Sequence, residues 1–150
     1  MSSMENGAAT APKAGFWVRF VALLIDSVIL YIPLVILGAL LGAFSRNVNG
    51  GLSAAAPIWY FLALIVPIVY FVYFWSASGG GQTLGMRALK LRVIKTDGSS
   101  LSLGSSVLRY LGTIVNSIIF GPPIGWVWAA FDRNKQGWHD KIASSYVVRI

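Results

Sequence analysis

Two long stretches of this chain carry almost no charge. From Phe16 to Leu41 only Arg19, Asp26 and Ser27 interrupt an apolar run. As a helix it would reach about 39 Å, enough to cross a hydrocarbon core of about 30 Å with some tilt. The second run, Pro57 to Trp75, contains no charged residue at all. Pro57 is suited to the first position of a helix, and Pro67 predicts a kink. Trp59, Tyr60, Tyr73 and Trp75 lie near the two ends of this run, as in the aromatic belt of a spanning helix. Charged residues make up 11% of the 150 positions, against roughly 25% in soluble domains. Too little polar chain remains to wrap two such helices in water, so an integral membrane protein is expected. The first run is too long for a signal-peptide core and contains an acid. Gly38 and Gly42 form a GxxxG pair that would let another helix approach closely.

Between and beyond these runs the composition changes. Met1 to Pro12 is small and polar and reads as a disordered tail, giving a boundary at residues 1–13 and a membrane domain over 14–150. Ala43 to Ala56 is a Gly-, Asn- and Ser-rich loop, and Ser76 to Gly81 a flexible break. Arg87 to Lys95 alternates as a strand, with Leu89, Leu91 and Val93 on one face and Lys90, Arg92 and Ile94 on the other. Thr96-Asp97-Gly98-Ser99 is a turn signal. Tyr146 to Ile150 is the other strand-like run, and pairing the two satisfies backbone groups that neither satisfies alone.

The third apolar region, Val107 to Phe131, is interrupted by Phe120-Gly121-Pro122-Pro123. The prolines remove two backbone donors, predicting a helix that ends near Phe120 and restarts near Ile124, with Gly121 and Gly125 on a small-residue face. If the region folds back there, Lys13, Arg19, Arg87, Lys90, Arg92, Lys95, Arg109, Arg133, Lys135, Lys141 and Arg149 share one side, leaving only Arg46 opposite. A single crossing would move Arg133, Lys135, Lys141 and Arg149 across as well. The positive-inside bias favours the fold-back, with both termini cytoplasmic. The expected fold class is therefore an all-α transmembrane bundle: two full spans, a broken re-entrant third element and a small two-stranded pairing.

The net charge of +7 comes from basic residues flanking apolar runs, so anionic lipid headgroups are the expected partner and nucleic acid is not. Without cysteine there are no disulfides or thiolate sites. No nucleophile–base set or metal-ligand spacing is visible, so neither an enzyme nor a metal or cofactor is expected. Gly79 to Gly85 lacks the Lys-Ser/Thr ending of a phosphate loop. Asp26 follows Arg19 by two helical turns, about 10 Å along one face. A short carboxylate at that depth is expensive unless a cation or water meets it. Two readings stay open: an ion- or proton-binding site, or a structural aspartate locked to Arg19 or Arg109. Arg109 could partner Asp26 or Asp140, or lipid phosphate. Asp132 and His139 lie in the charged cluster after the last apolar run, where His139 could titrate near neutral pH.

Taken together, the charged positions resemble the RDD family of small bacterial membrane proteins, named for one arginine and two aspartates. FWVRFVALLIDSVIL places the first two on Arg19 and Asp26. GQTLGMRALKLRVIKTDG, Gly81 to Gly98, resembles the family's segment after the second helix, with Met86 where lysine is usual, a departure expected to alter a peripheral contact. The arginine that follows matches Arg109. The closing pattern matches His139 to Val148, with Ser145 where threonine is common, and puts the second aspartate on Asp140. The resemblance covers about residues 14 to 149. It implies an inner-membrane protein that transports a small solute or cation, with cation/proton exchange among the family's associations. In that reading Asp26 is the intramembrane group, within a network of Arg19, Asp26, Arg109 and Asp140. Two or three spans are few for a path, so transport also implies a homo-oligomer. The alternative is an accessory or scaffold membrane protein whose Arg/Asp network is structural.

Overall fold

The computed structural model describes residues 10–120 and 124–150. Helix α1, Phe16–Leu40, and helix α2, Ala56–Trp75, are each long and apolar enough to cross a membrane. Both run on through an internal proline, Pro33 and Pro67. Along α1 the buried positions are Arg19, Ala22, Asp26, Leu30, Leu34 and Gly38, a single stripe at three- and four-residue spacing. The rest of the helix is equally apolar and uncovered: Leu24, Val28, Ile32, Val35 and Ile36 are exposed. Polar groups are instead buried, among them Arg19, Asp26, Thr83, Arg109, Asn116, His139 and Asp140. That is the reverse of the distribution water imposes.

The glycine pair on α1 serves the chain's own folding. A Cβ on Gly38 would collide with the Trp59 ring, whose Nε1 donates to Leu34 O at 2.7 Å and so fastens α2 to α1. Gly42 lies just past the helix with φ +68°. Gly42 N donates to Ala39 O at 3.0 Å and Ala43 N to Gly38 O at 2.8 Å, the paired bonds of a Schellman stop. The close approach expected of GxxxG is thus made by a tryptophan side chain and by a left-handed helix end.

After α2, the Ser76–Gly81 stretch contains an ordered 3-10 turn over Ala77–Gly79, where the sequence predicts a flexible break. A short helix follows, α3, Leu84–Ala88, and then strand β1, Leu91–Lys95. The expected strand from Arg87 is therefore shorter: Arg87 is helical, and Lys90, with φ +54°, separates the helix from the strand. Thr83 caps α3 by accepting from Met86 N, a local preference that overrides strand alternation. The turn at 96–99 forms as its sequence predicts, with Asp97 accepting from Ser99 N and Oγ at 2.9 and 2.6 Å.

Helix α4, Leu103–Phe120, is followed by α5, Ile124–Phe131, a short helix α6, Trp138–Ile142, and strand β2, Ser145–Arg149. The strands pair antiparallel with Leu91 opposite Arg149 and Lys95 opposite Ser145. Because β2 returns to β1, the intervening helices lead out and back. Residues 121–123, where the helix is expected to end and restart, and the surroundings of Gly125 lie outside what the structure describes. Residues 1–9 also lie outside it, but Lys13, inside the expected tail, bridges to Val148 on the free edge of β2. Ala14 N donates to Val147 O at 2.8 Å and Arg149 N to Pro12 O at 2.9 Å. The inner face of the sheet, with Leu91, Val93 and Val147, packs on Ala14, Ala22, Trp75, Met86 and Leu101. The sheet and α3 thus form a cap on one end of the helices.

Replacing Gly38 with valine should drive the Trp59 ring out of its seat and lower stability by about 1–3 kcal/mol. Thermal unfolding in detergent checks this, and Gly42→Ala should be milder, since only a backbone preference is violated there.

Candidate functional site

Four charged side chains lie buried where the cap meets the helices: Arg19 and Asp26 from α1, Arg109 from α4 and Asp140 from α6. They sort into two clusters. In the first, Asp140 is the centre. Its Oδ2 accepts from Arg19 Nη1 at 2.6 Å and from Gly137 N, at the start of its own helix, at 2.8 Å. Its Oδ1 meets Arg109 Nη1. The arginines are held further by Ala14 O, which accepts from Arg19 Nε at 3.0 Å, and by Ser145 Oγ, which accepts from Arg109 Nη1 at 2.6 Å. Arg109 also lies over the Trp75 ring, 4.9 Å from its centroid. Gln136 Nε2 donates to Ser145 O at 2.9 Å, tying the loop before α6 to β2.

The second cluster surrounds Asp26, and no arginine belongs to it. Asp26 Oδ1 accepts from Tyr70 OH and from Gly85 N, both at 2.7 Å, and Oδ2 accepts from Thr83 Oγ1 at 2.5 Å. These partners are the entry to α3. Of the first three N–H groups of that helix, Leu84 N donates to Tyr70 OH at 3.0 Å, Gly85 N to Asp26, and Met86 N to Thr83 Oγ1 at 3.2 Å. Three of the donors that a helix start leaves unpaired are thereby taken. Gly85 is required because α3 rests directly on α1: a Cβ there would run into the Ala22 carbonyl and come within 3.0 Å of Asp26 Cγ. Asp26 therefore caps a helix that begins 58 positions later in the chain, across the interface between membrane-length helix and cap.

The sequence expectation that Asp26 is locked to Arg19 or Arg109 is corrected by this arrangement. Arg19 and Asp26 do share the buried stripe of α1, as their spacing predicts, but two helical turns separate them and different elements reach each one. No site role is expected from the sequence for Tyr70, Thr83, Gly85 or Ser145, yet all four bond to these charged groups. A threonine three residues ahead of Met86, at the head of a short Leu-Gly-Met-Arg-Ala segment, is a readable capping signal. Met86 is buried at the base of this cap, so the departure from the family pattern there falls in the core instead of at a peripheral contact. Asp132 stands apart from both clusters; it pairs with Lys141 at 2.7 Å and accepts from Asn134 N and Gln136 N, bracing the loop into α6.

A small cavity of about 20 Å³ lies between the clusters, with Arg19, Asp26, Thr83, Trp75, Arg109 and His139 among its lining residues. Two guanidiniums and two carboxylates carry formal charges that sum to zero, the balance a buried group of ions needs.

His139 is buried beside this group, its Nε2 3.6 Å from Asp140 Oδ1. It is not the neutral-pH titrating group the sequence allowed. Burial pushes its pKa down to about 4; Asp140 pulls the other way, and Arg109 and Arg19 oppose its protonation. Burial by itself would raise the Asp140 carboxyl, but the charges of Arg109, His139 and Arg19 together with the Gly137 N–H hold it well below the usual carboxylate range. The sign for stability follows. His139 is neutral in both folded and unfolded chain above its ordinary pKa of 6.5. As pH falls from there toward about 4, the unfolded chain takes up a proton that the folded one refuses. Stability should fall over that window by at most roughly 3 kcal/mol, and His139→Gln should flatten the dependence. Unfolding midpoints measured across the window check both.

The RDD family profile matches residues 13–144. Among curated proteins of Bacillus subtilis (strain 168), the chain is 32% identical to "Uncharacterized protein YxaI", over 90% of this chain and 96% of that one. It is 30% identical to "Uncharacterized protein YckC", over 90% and 83% of the two chains. It is also 30% identical to "Uncharacterized membrane protein YteJ", over 96% and 85%. No solved structure matches. With the profile spanning most of its length and Arg19, Asp26 and Asp140 gathered in two adjoining buried clusters, this chain belongs to the RDD family.

Proposed function

We propose that this is a bacterial inner-membrane protein of the scaffold or accessory kind, in which the Arg/Asp network locks a cytoplasmic cap onto the membrane helices. The observation that carries the reading is the bonding of Asp26: three donors from the protein, at 2.5 to 2.7 Å, one of them a backbone N–H. A carboxylate that alternates between proton and cation must exchange partners, and one fixed on a helix start is poorly suited to that. The groove of about 290 Å³ between α1, α2 and α4 is lined by Leu23, Tyr31, Phe71, Tyr110, Thr113 and Ser117 among others, with none of the four buried charges on it. Solute or cation transport, the function first expected from the family resemblance, therefore becomes the competing reading.

In this proposal α1 and α2 span the bilayer, supported by their length and by the apolar side chains left uncovered around them. Helices α4 and α5 enter and return, supported by the pairing of β1 with β2. The cap and both termini face the cytoplasm, supported by the basic side chains near the cap and by Arg46 standing alone in the loop between the spans. Exposed Arg87, Lys90 and Arg149 around the cap suit anionic headgroups.

Two substitutions at Asp26 separate the readings. Asparagine keeps an acceptor for Gly85 N and Tyr70 and can donate to Thr83, and no arginine is stranded by the lost charge. Alanine leaves three donors unpaired and should destabilise by about 2–4 kcal/mol. On the scaffold reading Asp26→Asn keeps most of the abundance and thermal stability, Asp26→Ala loses both, and proteoliposomes of the wild type show no cation-dependent proton flux. Flux in the wild type that disappears in a stable, abundant Asp26→Asn protein would establish transport instead. The topology has its own check: cysteines at Ser100 and Ile150 should react with an impermeant reagent from the same, cytoplasmic, side.

A further inference from the structure

Where α5 ends, the exposed side chains change character within two residues. Phe131 is 83% exposed, and Arg133, Asn134 and Lys135 follow it on the surface. In a chain whose long helices leave apolar side chains uncovered, that change marks the level at which hydrocarbon gives way to headgroups. A groove of about 320 Å³ lies at this level, lined by Trp128, one turn before Phe131, and by Trp138, Lys141 and Ile142 of α6. Trp138 and Ile142, one turn apart, are exposed, whereas His139 and Asp140 between them are buried. Helix α6 thus turns apolar side chains outward and charged ones inward, the reverse of a helix facing water. The groove is also set in advance. The Trp128 and Trp138 rings meet edge to face, with centroids 6.1 Å apart and planes at 84°. Helix α6 is seated on α4, where a Cβ on Gly112 would come within 3.2 Å of His139 Cα and of Ile142 Cδ1.

The loop beside this apolar groove is basic. Arg133, Lys135 and Lys141 are exposed on it, and Lys13 joins them by donating to Asn134 Oδ1 at 2.9 Å. The acids of the same segment are Asp132, which accepts from Lys141 Nζ at 2.7 Å, and Asp140, which is buried in the ion cluster. Lys141 spends one of its three donors on Asp132 and keeps two, and its methylenes suit the groove wall. Asp132 also accepts from Asn134 N and Gln136 N, which orders the loop that carries the cations. An apolar groove edged by cations fits a molecule with a hydrocarbon chain and an anionic head. A volume of about 320 Å³ is at the low end of small-molecule pockets, roughly 300–1,000 Å³, and takes a length of one chain, not a whole lipid. We propose that the groove between α5 and α6 binds one anionic glycerophospholipid of the bilayer. An acyl chain lies between Trp128, Trp138 and Ile142, and the phosphate lies among Lys141, Arg133 and Lys135. The proposal rests on the membrane placement given above. The lipid then holds α6, and with it Asp140, at the membrane surface.

Photo-crosslinking reads which lipid stands in the groove. The full-length protein with p-benzoylphenylalanine at Trp128, an aromatic exchanged for an exposed aromatic, is irradiated in nanodiscs of equal parts phosphatidylglycerol and phosphatidylcholine. A second protein carries the same label at Val28, 56% exposed on α1, and samples the lipid around the spans. Mass spectrometry identifies the adducts. At Trp128 phosphatidylglycerol adducts should exceed phosphatidylcholine adducts at least about five-fold, the preference that one basic side chain near the surface confers. At Val28 the two lipids should be near parity, and Arg133→Gln with Lys135→Gln should bring the ratio at Trp128 down toward parity. Equal ratios at the two positions would overturn the proposal, since the groove would then hold only the surrounding bilayer. A ratio unmoved by the double substitution would overturn it as well, as would adducts to protein alone at Trp128 beside lipid adducts at Val28. Absence of lipid adducts at Val28 too would instead strike the membrane placement of the spans, and this proposal with it.

Discussion

Asp140 is the residue on which the rest of the arrangement hangs. One carboxylate receives an arginine from α1, an arginine from α4 and the backbone of its own helix start. The Arg19 contact joins residues 121 positions apart, and the three together fix where α6, and hence β2, can sit. An ionised group so deeply buried is tolerated only when its partners surround it, and removing either arginine leaves a charge that the interior cannot solvate. Burial keeps His139 neutral, and the two arginines gathered around Asp140 oppose its protonation further.

The Asp26 cluster uses the same economy of partners in another way. Here an acid on a membrane-length helix pairs the Gly85 N–H at the start of a distant short helix, and Tyr70 and Thr83 take the donors on either side. Gly85 lets the two backbones touch. With Asp26 at α3 and Asp140 at α6, each of the two acids meets the start of a short helix. The charged residues that name the family thus fasten two short helices, unstable by themselves, to the long α1.

Much of this was legible from local sequence. The two long helices followed from uncharged length, and the strand pairing from two short alternating runs with no other partner. The charged residues of the site were legible as well, since a charge in an apolar run stands out. What could not be read was which charge meets which. Spacing along α1 places Arg19 and Asp26 on one face, but it is silent on what packs over each turn of that face. Residues from α2, the α3 entry and α6 decide that, and their approach depends on tertiary contacts with no local signature. Helix α3 was hidden for a related reason: five residues of helix followed by a strand blur into one alternating run, and only the Thr83 cap marks the boundary.

The strand at Ser145–Arg149 is flanked by β1 on one edge and by the residues around Lys13 on the other. It thus has backbone partners on both edges while following every other described element in the chain. Neither neighbour can find it during synthesis until both long helices and the α4–α5 excursion have been made. Assembly of the cap must therefore be the closing event of folding, with a long-range pairing whose loop entropy is borne only after the helices are in place. Until then the entry to α3 and the edge of β1 wait without their final neighbours, and a chain delayed at that stage exposes an unpaired strand edge to other molecules.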